Sequence, residues 1–532
     1  MSFPSKTRSI GLVVGYLLVL GVSAGHDHTT PAKTACHTLS TLLGTDKVQS
    51  AGGAQYEASA TGAWDLYNQF DKPTCIIFPR NSSDVVSAMR TIFHSDAHYA
   101  VRGGGHSAMP GWNTISNGVL IDFSQMKAFS YDPVRDSIFI EPGVLNGEVY
   151  DGLQSQGVAP VGGRVEAVGF SGLALGGGLS FLSPSQGWAC DRFRSLDVVL
   201  TNGRLVTATR TNEYSDLFTA LKGGGSRFGI VTRYEVDAIH VGTAADKTYW
   251  GGSINYVGPT SAAAVVKAID ALVYSNKDPN TVILTTVAYL NVSGTFTTAA
   301  AATLFYNGTE AQFKQVFADF LAIPAVATNL GPLSYNEVTK VLTPSQSPGI
   351  GPRATNVNVV CQTYFSLGFA STGTRSYNIS NNPYKYGGST LYPGQGLFEK
   401  SYNNWLNFSI NFKDEVFGTF WVITPVFQSQ IDVSRAHGGT SFTPPNGAFG
   451  YLEVGEVLSF GATKISKSLR AGLDLLYRQI PRSPGLPLYL NESEDVQNAV
   501  TTYSGYEKLK EIYRKYDPTR FNVRRMVGPN GL

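Results

Sequence analysis

The amino-acid sequence predicts an α+β protein of two domains, and three observations carry that reading. At 532 residues the chain is long enough for two or three domains of ordinary size, each with a real core. From about residue 70 to 240, short apolar runs alternate with turns and short helical stretches. From about 246 to 485 the texture changes to long β-rich stretches separated by helical ones, as in an antiparallel sheet backed by helices. The charge balance narrows the function. There are 41 Lys and Arg against 39 Asp and Glu, a net charge of +2, with no basic run. This argues against a nucleic-acid binder and against a polybasic membrane-surface protein.

Residues 1–24 read as a secretory signal. Lys6 and Arg8 form a basic start, residues 10–22 an apolar run, and Val22-Ser23-Ala24 the small residues before a cut ahead of Gly25. An uncleaved anchor is the alternative, but the run falls short of the roughly 20 residues a spanning helix needs. Ser82-Ser83-Asp84 should cap a helix to about residue 93, with Val85, Val86, Met89 and Ile92 at helical spacing. Val119-Leu120-Ile121 and Ile138-Phe139-Ile140 suit short buried strands. Residues 197–208 alternate around Asn202-Gly203, a hairpin signal, and 230–236 form a further strand. In the second region strands are expected at 282–290, 356–365, 419–427 and 449–458, and helices at 261–274, 311–321 and 464–477. A tail helix at 506–516 stops at Asp517-Pro518. The aromatics Tyr364, Phe365, Phe420, Trp421 and Phe427 sit on these strands, where they either line a pocket or pack the core, the second being the simpler reading.

Two further features agree with export. Asn-x-Ser/Thr acceptors occur at Asn81, Asn291, Asn307, Asn378, Asn407 and Asn491. The four cysteines are Cys36, Cys75, Cys190 and Cys361, none at metal-ligand spacing. Cys36 and Cys75 lie close together in sequence and are paired as a disulfide, whereas Cys190, beside Trp188 and Ala189, reads as a buried thiol.

The 57 glycines include three clusters: Arg102-Gly103-Gly104-Gly105-His106-Ser107, Leu175-Gly176-Gly177-Gly178-Leu179 and Lys222-Gly223-Gly224-Gly225-Ser226. Consecutive glycines let backbone N–H groups converge on an anion such as a diphosphate, because no Cβ blocks the approach. None is followed by Gly-Lys-Ser/Thr at Walker spacing, and none is a Gly-x-Gly-x-x-Gly turn in a clear βαβ unit, so a nicotinamide-binding domain is not expected. His106 follows three glycines, which lets a ligand come close to its ring. A tight turn and an ordinary histidine are the bland alternatives.

The stretch around His106 resembles the flavin-attachment segment of the berberine-bridge-enzyme-like oxidoreductases, a branch of the vanillyl-alcohol-oxidase type FAD fold. The resemblance continues through Ile76-Ile77-Phe78-Pro79-Arg80, Gly162-Gly163-Arg164, Val168-Gly169 and Gly172-Leu173-Ala174-Leu175-Gly176-Gly177-Gly178. It goes on with Gly187-Trp188-Ala189-Cys190-Asp191, Phe228-Gly229-Ile230-Val231-Thr232, Tyr489-Leu490-Asn491 and Lys515-Tyr516-Asp517-Pro518. It implies an FAD domain of residues 25–245 completed by 486–532, with a substrate domain, 246–485, inserted between them. It also implies FAD bonded covalently through one histidine, His106. Around the cofactor it implies Arg102, Gly103, Gly104, Gly105, Ser107, Val168, Gly169, Gly172, Gly176 and Gly177, with Ile230 and Val231 toward the adenine and Asn491 near the flavin ring. Asn491 is thereby placed inside, where it cannot carry a glycan.

One position departs from many relatives, which tie the flavin a second time through a cysteine after Gly-Arg. Here that residue is Val165, which argues for a single tether and against the doubly linked oligosaccharide oxidases. Val168, where the family sets oxygen access, resembles members that react with O2; a plain core valine is the alternative. Two residues are candidates for the base that takes the heteroatom proton as a C–H bond is oxidised. Tyr489 sits in the Tyr-x-Asn motif, where burial near a cation would lower its pKa; a packed core tyrosine is the alternative. Glu453 sits on an expected strand of the substrate domain, where a solvent-facing glutamate is equally open. The implied activity is a secreted FAD-dependent oxidase acting on a small alcohol, amine or secondary-metabolite precursor, with O2 as partner and H2O2 as product. Carbohydrate oxidase, oxidative cyclase and an inactive flavoprotein-like glycoprotein are the alternatives. No nucleic-acid or membrane partner is expected, and the chain should be a monomer or weak oligomer.

Overall fold

Strand Val119–Asp122 is apolar at three of its four positions and wholly buried, the pattern of a parallel strand covered on both faces. It runs parallel to Cys75–Ile77 on one side and Tyr99–Arg102 on the other, and Val48–Gln49 adds an antiparallel edge. Helix Ser82–His94 makes the crossover, burying Val85, Met89 and Ile92. Its N-cap is Asn81, one residue earlier than expected: the Asn81 side chain accepts a hydrogen bond from Asp84 N at 3.0 Å. Asp84 is drawn elsewhere, pairing with Lys47 at 2.9 Å. The computed structural model describes residues 29–292, 295–342, 384–458, 465–480, 482–529 and 531–532. The expected signal (1–24), the strand at 356–365 with Tyr364 and Phe365, and Cys361 and Asn378 lie outside the described residues.

Cys36 and Cys75 form a disulfide that ties helix Thr29–Leu43 to this sheet across 39 residues of sequence. Closing a loop of that length should stabilise the fold by about 4 kcal/mol through the entropy removed from the unfolded chain. Replacing both cysteines with serine is expected to lower the denaturant midpoint accordingly, which equilibrium unfolding would measure.

A second sheet, antiparallel throughout, has the order Phe129–Asp132, Ser137–Ile140, Ile230–Asp237, Phe193–Val199, Leu205–Thr209. Its last pair is the hairpin expected around Asn202-Gly203, with Gly203 at φ +77° in the turn. Cys190 lies buried beneath, as expected of a thiol in an apolar context.

The long strands after residue 248 form one seven-stranded antiparallel sheet. Its order is Ala327–Leu333, Tyr249–Val257, Thr295–Asn307, Thr281–Val292, Val416–Val426, Phe449–Leu458, Tyr384–Leu391. One face carries Trp421, Ile423, Leu452 and Val454 into a core covered by helices Pro259–Ser275, Leu397–Phe412 and Lys467–Gln479. On the other face Ala288, Leu290, Phe420 and Val422 pack against Ala108 and Met109, just beyond His106. Phe420, Trp421 and Phe427 are therefore core residues.

The tail returns to the first half of the chain. The guanidinium of buried Arg227 donates to the carbonyls of Pro529 (2.9 Å), Asn522 (2.7 Å), Met526 (2.6 Å) and Gly528 (3.0 Å). Asn81, Asn307 and Asn407 are exposed, and Asn291 is half-buried. Among the described residues no helix is long and apolar enough to cross a membrane.

Candidate active site

Strand Tyr99–Arg102 ends in Gly103-Gly104-Gly105, so the chain turns under the sheet and delivers His106 to the wall of a cavity of about 400 Å³. The 164–179 stretch, the start of strand Ile230–Asp237, the turn at 489–492, Glu453 of the long sheet, Trp64 and the tail residues Met526 and Pro529 supply much of the remaining wall. Among the expected residues, Gly103, Gly104, Gly105, His106, Ser107, Val168, Gly169, Gly172, Gly176, Ile230, Val231, Glu453, Tyr489 and Asn491 all border this space.

Glycine is required where two backbones touch. A Cβ on Gly104 would fall 2.4 Å from Gly169 N, and one on Gly169 would fall 2.5 Å from Gly104 N. Gly104→Ala must therefore separate the two segments, at a cost of about 1–3 kcal/mol for overpacking. The expected result is a lowered Tm together with a reduced flavin-to-protein ratio in purified protein. At Gly172, by contrast, a Cβ would meet nothing within 4 Å, so its missing side chain leaves the wall open.

Two expected residues do not reach the cavity. Arg102 is buried beneath it, donating to Asn113 O at 2.8 Å and to Ser59 O, with Asp122 3.6 Å away. Its position at the strand end turns it into the sheet and makes it an anchor of the loop. Gly177 adopts φ +114° and packs against Phe442 and Tyr489. Its turn aims the next two N–H groups at the Tyr489 oxygen.

His106 is flanked by Trp64, the two rings stacked with centroids 4.6 Å apart and planes at 17°. Burial pulls its pKa down to about 4, so the imidazole is neutral near pH 7. Tyr489 runs opposite to the sequence expectation: its pKa is raised, first by burial and then by the charge of Glu492. Its oxygen accepts hydrogen bonds from Gly178 N (3.2 Å), Leu179 N (3.0 Å) and Asn491 Nδ2 (3.0 Å). Asn491 and the Arg164 guanidinium pull the other way but do not outweigh desolvation. The Tyr451 ring packs on Tyr489 at 4.9 Å between centroids.

Asn491 Nδ2 also donates to Leu173 O at 2.9 Å, so the nitrogen that would carry a glycan is turned inward. Glu453 is half-buried on the cavity face of its strand, while its neighbours Leu452 and Val454 enter the helix-backed core. Arg164 spans the site, donating to Thr424 Oγ1 at 2.7 Å and to Glu492 Oε1 at 3.2 Å. Sequence reading treated Arg164 only as a motif marker and missed Glu492 and Trp64. Glu492 directly follows the Tyr-x-Asn motif, a signal that was available. Trp64 lies far upstream of His106 and carries none.

FAD fits these residues. Arg164 is the only Lys or Arg among the described wall residues, so a diphosphate would rely on backbone N–H groups, which is what a glycine-rich wall offers. The open face at Gly172 leaves room for a ligand, and Val165 and Val168 both border the space with no cysteine beside them.

Comparison with known proteins agrees. A model of the FAD-binding domain matches residues 73–209. Over 252 residues the chain is 34% identical to an FAD-dependent monooxygenase of Cochliobolus heterostrophus, covering 45% of this chain. That match spans about half the length of the relative, 48%. Over 533 residues it is 27% identical to an uncharacterized FAD-linked oxidoreductase of Arthroderma benhamiae, covering 96% of this chain and 97% of that one. The fold is similar to that of berberine bridge enzyme from Eschscholzia californica, with a TM-score of 0.72 at 16% identity, covering 93% of this chain and 98% of that one. The chain thus carries an FAD-binding domain, aligns along nearly its whole length with an FAD-linked oxidoreductase and shares the fold of berberine bridge enzyme.

Proposed function

We propose that the protein is a secreted oxidase holding FAD through one covalent bond to His106, removing a hydride from a small alcohol, amine or secondary-metabolite precursor and reducing O2 to H2O2. The observation that carries this reading is one wall bearing a neutral His106, two candidate proton acceptors and a glycine-built cradle. When bound, FAD supplies a two-electron acceptor for a substrate C–H bond and a route from there to O2. Gly103, Gly104, Gly169, Gly172 and Gly176 would hold it, with Ile230 and Val231 at the adenine side.

The chain's own residues do the rest. Glu453 takes the proton from the substrate oxygen or nitrogen, because burial keeps Tyr489 protonated near pH 7. Tyr489, its oxygen fixed by three N–H donors, orients the substrate heteroatom through its own O–H. The Arg164–Glu492 pair keeps the 489–492 turn against the long sheet. The domain division at 245 and 485 and glycans at Asn81, Asn291, Asn307, Asn378 and Asn407 belong to the same proposal.

The test is a panel of alcohols and amines assayed together for O2 uptake, H2O2 release and product. One H2O2 per substrate oxidised supports the oxidase. Oxygen incorporated into the product, as the relative's name of monooxygenase would suggest, overturns it. So does turnover that consumes no O2 and needs an artificial acceptor.

A further inference from the structure

We propose that Trp64 is a positioning residue for His106, its indole face setting the plane of the imidazole for attachment to the flavin. This rests on the reading of His106 as the covalent anchor. On its own, a histidine after three glycines has little to fix its ring, since glycine leaves the backbone permissive. The fold supplies what the loop lacks. Trp64 N donates to Gly105 O at 2.9 Å, so the residue before His106 is tied to the residue that stacks on it. Asn68 Nδ2 donates to Ser107 O at 3.0 Å and Met109 O at 3.2 Å, and Gly111 N donates to Asn68 Oδ1 at 3.1 Å. Arg102 reaches back to Ser59 O. The 59–68 stretch thus grips the His106 loop before and after the histidine.

Within that grip the rings lie face to face at 4.6 Å and 17°. A stacked indole covers a face of the imidazole and blocks tilting out of the plane. It leaves the ring edge uncovered, and the edge carries the nitrogen lone pair that must meet the flavin methyl carbon. Attachment forms one N–C bond through the lone-pair nitrogen and removes one hydrogen from that methyl and one from the other ring nitrogen. The two electrons left on the isoalloxazine pass to O2, which with the two protons leaves as H2O2. Misplacing a reacting atom by about 1 Å can cost on the order of 100-fold in rate, so a loosened imidazole should attach slowly.

The experiment uses full-length apoprotein from a riboflavin-depleted host, mixed with FAD in air and quenched in acid at intervals. Pelleted flavin is measured for wild type, Trp64→Phe, Trp64→Leu and Trp64→Met, with Tm recorded for each. Trp64→Phe, which keeps an aromatic face, is expected to attach within about threefold of wild type. Trp64→Leu and Trp64→Met, apolar but without that face, should slow roughly tenfold to 100-fold at similar Tm. Equal rates in all four overturn the proposal, and so does equal slowing in all three variants. If wild-type flavin washes out in acid, the covalent reading itself fails and Trp64 has no such role. Should the aliphatic variants not fold, the rate of Trp64→Phe decides: loss of attachment there overturns the idea.

Discussion

His106→Ala is expected to abolish covalent flavin while leaving the protein folded. After acid precipitation, yellow colour stays with the wild-type pellet and leaves with the supernatant of the variant. The loss should be complete, because no second tether is available among the described residues: Val165 stands where a cysteine would be needed, and the one described free thiol, Cys190, is buried and absent from the cavity wall. FAD should still bind, since the glycine wall and the Ile230–Val231 start of the strand do not depend on the imidazole. A wild-type supernatant that carries the flavin sinks the single-tether reading. A variant pellet that keeps it would reveal another attachment residue.

Glu453→Gln should cost the next largest amount. Removing a general base typically lowers turnover by about 10²–10⁴. The loss is expected in the rate of flavin bleaching by substrate under anaerobic conditions, with reoxidation by O2 unchanged. Tyr489→Phe makes the contrast. It deletes the oxygen that accepts from Gly178 N, Leu179 N and Asn491 Nδ2, leaving buried donors unmet at about 1–3 kcal/mol each. It should therefore lower stability as well as bleaching rate, whereas Glu453→Gln lowers the rate alone. If Glu453→Gln bleaches at the wild-type rate and Tyr489→Phe does not, the two roles are reversed.

Local patterns carried much of this fold. The Asn202-Gly203 hairpin, the strands at 119–121 and 138–140 and the 506–516 helix all follow from short-range rules, and the structure has them in place. The helix start slipped by one residue because capping depends on which side chain is free. Asp84 is held by Lys47, a partner 37 residues away, so Asn81 takes the cap. The glycine clusters were equally legible, since backbone contacts such as Gly104 against Gly169 forbid any other residue. What the sequence hid is set by long-range packing. Nothing near Trp64 announces that it will lie on His106, and nothing at Tyr489 shows that desolvation outweighs the nearby guanidinium. Arg102 was misassigned for the same reason: its place beside a ligand-binding loop is local, but its direction is fixed by Ser59 and Asn113.

The clamp of Arg227 on the tail bears on biogenesis. Met526 and Pro529 form part of the cavity wall, and the guanidinium that holds their carbonyls is 302 residues from Pro529. At about 5–20 residues per second, a ribosome needs roughly 15–60 s to travel that distance. During this interval the glycine loops and His106 already exist, but the compartment they border is open on one side. Cofactor capture is thus placed late, after the tail has emerged and docked, and a nascent chain arrested before residue 520 should not retain flavin.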